Sequence, residues 1–193
     1  MGARCEIFTV DLALADTPRE LLSDVTRTFG KPTILVNNAA YSTESDYMTI
    51  DAELLDRHYE VNMRAPVLLA SYFARSIVPE DHGRIVNLTS GQSLGPMPNE
   101  LAYALTKASL ETLTRTLASE LAERGATINT INPGPTDSGW ISEELYKTLL
   151  PRFPSGRIGT PQDAACLVNS LVSVGGGWIT GQVIHSEGGF RRF

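Results

Sequence analysis

Short apolar runs of strand length alternate along this chain with longer segments in which apolar residues recur every three or four positions. Residues 5–10, 33–37, 84–88, 127–131 and 182–185 are rich in Ile and Val and end on small or polar residues, which predicts five buried parallel strands. Residues 18–29, 52–77, 101–122 and 161–172 carry the helical period. Two of these helices open on proline, whose missing N–H is no loss in a first turn, with Asp16 or Thr17 before Pro18 and Thr160 before Pro161 as N-caps. Strands alternating with helices predict an α/β fold: a Rossmann-like, doubly wound parallel sheet in one domain spanning residues 1–193.

Such a sheet binds ligands at the carboxyl ends of its strands. The residues expected there are Asp11, Asn37-Asn38-Ala39-Ala40, Thr89-Ser90 and Asn132-Pro133-Gly134, all small or polar. Tyr103 and Lys107 stand four apart in a helical segment, so they share a face and can converge on one ligand. A free phenol titrates near pH 10 and is a poor base at neutrality; a neighbouring ammonium favours its ionised form and brings it nearer the useful range.

Context makes this pair specific. Ser90 ends a strand thirteen residues before Tyr103, and residues 85–110 resemble the catalytic segment of the short-chain dehydrogenase/reductase family. Asn37-Asn38-Ala39-Ala40 resembles the family's Asn-Asn-Ala-Gly element, with Ala40 where Gly is usual. Val61-Asn62 resembles its helix Asn, and Asn132-Pro133-Gly134 its Pro-Gly element. These matches fall in family order over essentially the whole chain, which is similar to the 3-oxoacyl-thioester reductase-like branch.

The resemblance implies an oxidoreductase that transfers a hydride between NAD or NADP and a small carbonyl or alcohol, with NADP slightly favoured. It implies that Tyr103 is the general acid and that Ser90 hydrogen-bonds the substrate oxygen. It gives Lys107 the tasks of lowering the Tyr103 pKa and holding the nicotinamide ribose, and gives Asn62 a water that links Lys107 to solvent. Asp11 is expected at the adenine, Asn38 and Ala39 at the adenosine ribose, and Pro133, Gly134 and Thr136 at the nicotinamide, with the Ser138 hydroxyl as an alternative to that of Thr136. On local chemistry alone, Asp11 also reads as a turn residue and Asn62 as a helix residue satisfied within a packed face. Residues 140–153 resemble the family's substrate flap, although an amphipathic surface helix fits the same pattern. The resemblance also implies a homo-oligomer for a full-length chain, paired through helices 52–77 and 101–122.

One family element is missing from this sequence: the Gly-x-x-x-Gly-x-Gly turn that holds the pyrophosphate at a helix N-terminus. Gly175-Gly176-Gly177 opens no predicted helix and reads as a loop. The chain begins at what resembles the family's third strand, so the expected sheet is N-terminally truncated. Strand 5–10 then lacks its neighbour, strand 33–37 has an open edge, and dinucleotide binding is expected to be weak. A non-catalytic remnant or binding protein is the alternative reading. The position that separates NAD from NADP is lost with the same segment.

Composition narrows the classes further. A net charge of -6 with no Lys or Arg run offers no footprint for nucleic acid or an anionic membrane surface. No apolar stretch approaches the roughly 20 residues that span a bilayer. Cys5 and Cys166 stand far apart without a metal-binding pattern, so they are expected to be small buried hydrophobes in a reducing cytoplasm, with no metal. Thr89-Ser90-Gly91-Gln92-Ser93 is no Gly-x-Ser-x-Gly elbow, and His58, His82 and His185 show no triad arrangement, which argues against a serine hydrolase.

Overall fold

A computed structural model describes residues 2–192. Strands β1 (Ile34–Asn37), β2 (Arg84–Leu88), β3 (Thr127–Asn132) and β4 (Val183–His185) form one parallel sheet in the order β1-β2-β3-β4. Ile34 stands opposite Arg84, Arg84 opposite Thr127, and Asn132 opposite His185. Helices α1 (Thr17–Phe29), α2 (Ala52–Tyr59), α3 (Ala65–Ser76), α4 (Leu101–Ala122), α5 (Glu143–Leu149) and α6 (Pro161–Val172) make the connections. β2 and β3 are buried at every position, as central parallel strands covered on both faces must be.

The alternation of side chains along a strand divides the core in two. Ile85 and Ile128 point into a cluster with Ala70, Phe73, Ile77 and Leu121, built against α3 and α4. Val86, Leu88 and Ile131 point the other way, onto Leu171 and its neighbours on α6. The helix starts follow their local chemistry. Thr160 caps α6 in a capping box with Asp163, whose carboxylate accepts from the Thr160 N–H (2.8 Å) and also takes both arms of Arg157 (2.7 and 2.8 Å). Asp16 is the N-cap of α1, one residue before Thr17.

Several expectations are corrected. Residues 5–10 form no strand, because no neighbouring strand offers them partners and their backbone groups are left to solvent. The outer edge of β1 is unpaired, with Ile34 48% and Val36 40% exposed, and an apolar groove of about 310 Å³ lies against it, lined in part by Val10, Leu12, Val25 and Leu69. The helix expected over 52–77 is interrupted by a π-helical turn, Glu60–Arg64, and ends at Ser76. Pro66 explains the interruption: it has no N–H to give to the carbonyl of Asn62, four residues back. Cys5 and Cys166 are exposed, not buried. The three glycines at 175–177 lie in a short 3-10 turn, Val174–Trp178. Residues 140–153 hold a short surface helix, α5, capped by Ser142, then a 3-10 turn that leads to the buried Phe153. No described helix is long and apolar enough to cross a membrane.

A buried polar chain crosses the sheet. Asn37 Nδ2 donates to Asn87 Oδ1 (2.8 Å), Asn87 Nδ2 to Thr114 Oγ1 (3.1 Å), Thr114 shares a hydrogen bond with Thr130, and Thr130 Oγ1 donates to the Leu110 carbonyl (3.3 Å). It ties β1 to β2, to α4 and to β3. Asn87→Leu removes a link and leaves the Asn37 amide without its acceptor, so unfolding free energy should fall by about 2–4 kcal/mol. Denaturant titration measures it; an unchanged midpoint would mean that the chain of contacts adds nothing to stability.

Candidate active site

Two residues at the end of β2 bond to the middle of α4. Thr89 Oγ1 donates to the carbonyl of Lys107 (3.0 Å), and Lys107 Nζ donates back to the carbonyl of Leu88 (2.7 Å). The next residue, Ser90, is extended and opens the 3-10 turn Gly91–Ser93; its hydroxyl lies 3.9 Å from the sulfur of Met97. Gln92 holds this turn down by donating to Thr89 Oγ1 (3.0 Å) and to the buried carboxylate of Glu111 on α4.

The start of α4, where Tyr103 stands, is set by a contact that sequence reasoning missed. The Ser45 N–H donates to the carbonyl of Asn99 (2.7 Å), Leu101 N–H donates to the Ser45 carbonyl (2.8 Å), and Ala102 N–H donates to Ser45 Oγ (3.1 Å). Asn99 accommodates this with φ of 65°, a left-handed conformation that asparagine tolerates better than most residues. The Pro98-Asn99 pair signals a turn in the sequence, but its partner Ser45, fifty-four residues earlier, does not show there.

Ser90, Tyr103 and Lys107 are therefore brought together. Burial pushes the Tyr103 phenol up to about 12, the nearby Glu100 carboxylate adds to the rise, and the Ser90 hydroxyl opposes it. Burial brings the Lys107 ammonium down to about 8. The expectation that Lys107 lowers the phenol does not describe this arrangement. The ammonium lies 5.6 Å from the Tyr103 ring centre, turned to the Leu88 carbonyl, and is not among the groups acting on the phenol. Glu100 is itself raised by burial and by Glu44.

Asn62 lies in the π turn and is buried. Its side chain is fully engaged as a brace: Oδ1 accepts from the Tyr41 N–H (2.8 Å), while Nδ2 donates to the Tyr41 carbonyl (2.8 Å) and to Thr106 Oγ1 (3.2 Å). Both amide hydrogens and the amide oxygen are engaged with protein partners, so the side chain acts as a brace between the loop after β1 and α4.

The remaining expected positions line the same edge of the sheet, apart from one. Asn38 and Ala39 follow β1 and are exposed. Gly134 turns with φ of 67°, donating its N–H to Asn132 Oδ1 (3.0 Å); a Cβ there would press on Glu187 at 3.0 Å. Pro133 precedes it, and Thr136 Oγ1 donates to the Gly134 carbonyl (3.1 Å). Asp11 is exposed in a turn, where its carboxylate accepts from the Ala13 N–H (2.9 Å), so it ends no strand.

A doubly wound parallel sheet that gathers a Ser, a Tyr and a Lys at the carboxyl ends of its strands defines a dinucleotide-dependent oxidoreductase. The sequence profile of the family described as enoyl-(acyl carrier protein) reductase matches residues 1–191. YjdA of Bacillus subtilis (strain 168), described as an uncharacterized oxidoreductase, is 50% identical over 194 residues, covering 100% of this chain and 77% of that protein. The 3-oxoacyl-[acyl-carrier-protein] reductase FabG of Rickettsia conorii is 31% identical over 186 residues, covering 95% of this chain and 76% of its own length. Among solved structures, angucycline C-6 ketoreductase LanV with bound NADP superposes with a TM-score of 0.83 at 28% identity, over 93% of this chain and 72% of that one. The chain belongs to the short-chain dehydrogenase/reductase family. It is an oxidoreductase of the kind that moves a hydride between NAD(P)(H) and a carbonyl or alcohol.

The buried ammonium has a measurable consequence. Above about pH 8 the folded protein releases the Lys107 proton while the unfolded chain keeps it up to its ordinary 10.5, so wild-type stability gains from this group as the pH rises between those values. Lys107→Met should raise the unfolding free energy at pH 7 by about 1–2 kcal/mol, the relief of a buried charge less the lost bond to Leu88. The advantage should shrink between pH 8 and 10. A melt series across pH reads both, and a variant that is less stable at pH 7 contradicts the burial argument.

Proposed function

We propose that this chain reduces a small carbonyl compound with NADH or NADPH, with Tyr103 protonating the substrate oxygen and Ser90 donating a second hydrogen bond to it. The observation that carries this is Lys107: a cation buried against the end of β2 and one turn from Tyr103, with no carboxylate partner among the described residues and one of its three N–H groups spent, on Leu88. A ribose diol would satisfy the other two. The backbone of Asn38 and Ala39 and the turn at Pro133, Gly134 and Thr136 would hold the rest of the nicotinamide and adenosine, with Asp11 nearest the adenine. Bound nicotinamide supplies the hydride.

The side chains of this protein do the proton work. A phenol held near 12 is fully protonated at neutral pH, ready to give its proton as charge develops on the carbonyl oxygen. Lys107, near 8, is close to neutrality and can resupply the phenolate. Asn62 keeps the loop after β1 and the helix bearing Tyr103 in register, and a water held there would link Lys107 to solvent. Cytoplasmic location and homo-oligomers formed through α2, α3 and α4 complete the proposal. The family relationship to oxidoreductases favours this enzyme over a remnant without turnover.

A panel of ketones with NADH and with NADPH tests the reading. Tyr103→Phe should lower turnover by about 10³-fold and Ser90→Ala by about 10²-fold, both with the fold intact by circular dichroism. Undiminished turnover in Tyr103→Phe would remove the assigned acid.

A further inference from the structure

The segment after β4 folds back over the site. It turns at Gly188 and Gly189, both at positive φ, and packs Phe190 at a tilt against the buried Phe153 with ring centres 5.0 Å apart. The Arg191 N–H donates to the Arg152 carbonyl (2.9 Å), which ties the segment to the end of the flap. Arg192 is thereby laid beside Gly91, the residue next to Ser90. Its guanidinium fills the space that a side chain at position 91 would occupy: a Cβ there would collide with Cζ and both terminal nitrogens.

The guanidinium is held but not satisfied. Nη2 bonds to Glu187 Oε1, which also accepts from Asn132 Nδ2 (2.8 Å), and the Phe190 ring lies 5.5 Å from Cζ. Nε is buried and has no partner among the described residues. A guanidinium presents five N–H donors in a planar fork matched to a carboxylate. This one stands against the residue that follows the serine assigned to the substrate oxygen, with most of its fork unused by the described residues.

We propose that Arg192 is a specificity residue that receives a carboxylate carried by the carbonyl substrate, making short oxo acids the preferred substrate class. The proposal rests on the reading of Ser90 and Tyr103 given above. Glu187 already neutralises the guanidinium, so an incoming carboxylate is recognised by hydrogen bonds from the unused N–H groups and not by net charge, and a phosphate dianion is disfavoured more strongly still. Gly91 is part of the same device, because only glycine leaves room for the guanidinium there.

The test compares 4-oxopentanoate with its methyl ester, on the full chain with whichever nicotinamide supports turnover. Wild type should favour the acid by tenfold or more in kcat/KM. Arg192→Gln should cut that preference to within about threefold by raising KM for the acid, leaving the ester unchanged, and Arg192→Lys should restore part of it. Gly91→Ala, which displaces the guanidinium without removing its charge, should also lower the preference. Calorimetric titration with 4-oxopentanoate reads the same contrast without turnover. A wild type indifferent to the carboxylate overturns the proposal, as does an Arg192→Gln protein with preference intact or with both substrates impaired equally at an unchanged melting temperature. Tyr103→Phe stands as the separate check: full turnover in that variant removes the general acid, while the acid-to-ester ratio still decides the role of Arg192.

Discussion

The reciprocal bonding of α4 to the carboxyl end of β2 is the constraint on which the site depends. Thr89 Oγ1 donates to the Lys107 carbonyl and Lys107 Nζ returns a bond to Leu88, so strand and helix are fixed at one point in both directions. Farther along, Asn87 and Thr114 repeat the tie, and Leu110 and Leu121 are buried on the same helix. With α4 held in rotation, Tyr103 lies one turn from Lys107 and faces Ser90. A helix free to rotate by one residue, about 100°, would carry the phenol away from the serine.

That seating has an energetic cost which the fold absorbs elsewhere. The Lys107 ammonium is buried without a carboxylate partner among the described residues, and the Tyr103 phenol is buried beside the Glu100 charge. Both are unfavourable for stability and both leave groups poised to exchange protons. Compensation comes from braces outside the reacting groups: Ser45 on the first turn of α4, Asn62 between the loop after β1 and Thr106, and Gln92 between Thr89 and Glu111. The segment from Phe190 to Arg192 adds a tie between the flap and the turn after Ser90. These braces use buried or part-buried hydrogen bonds, which are strong where water is excluded and expensive to leave half made.

Much was legible without coordinates. Alternation of Ile and Val with small polar residues marked the four strands that form, within a residue or so at either end, and helical period with Pro18 and Pro161 marked the helix starts. The thirteen-residue step from Ser90 to Tyr103 and the four-residue step to Lys107 were visible as spacing. Residues 5–10 carried the same strand pattern, yet a strand exists only when a neighbour takes its hydrogen bonds, and that neighbour is no property of the six residues. The π turn was hidden because its cause, Pro66, lies inside an otherwise regular helical pattern; the missing N–H was the signal that could have found it.

By itself, then, the sequence determined the alternating elements, their order and the family chemistry of Ser90, Tyr103 and Lys107, because periodicity and close spacing are local properties of a chain. Tertiary structure alone decided that burial, not Lys107, sets the Tyr103 phenol, and that Lys107 bonds to Leu88. It also decided that Asn62 spends its side chain on Tyr41 and Thr106, and that Arg192 comes to rest against Gly91, one hundred and one residues away. The physical reason is common to all of them. Desolvation, hydrogen-bond partnership and close approach depend on which distant segments pack together, and hydropathy along the chain does not specify those partners.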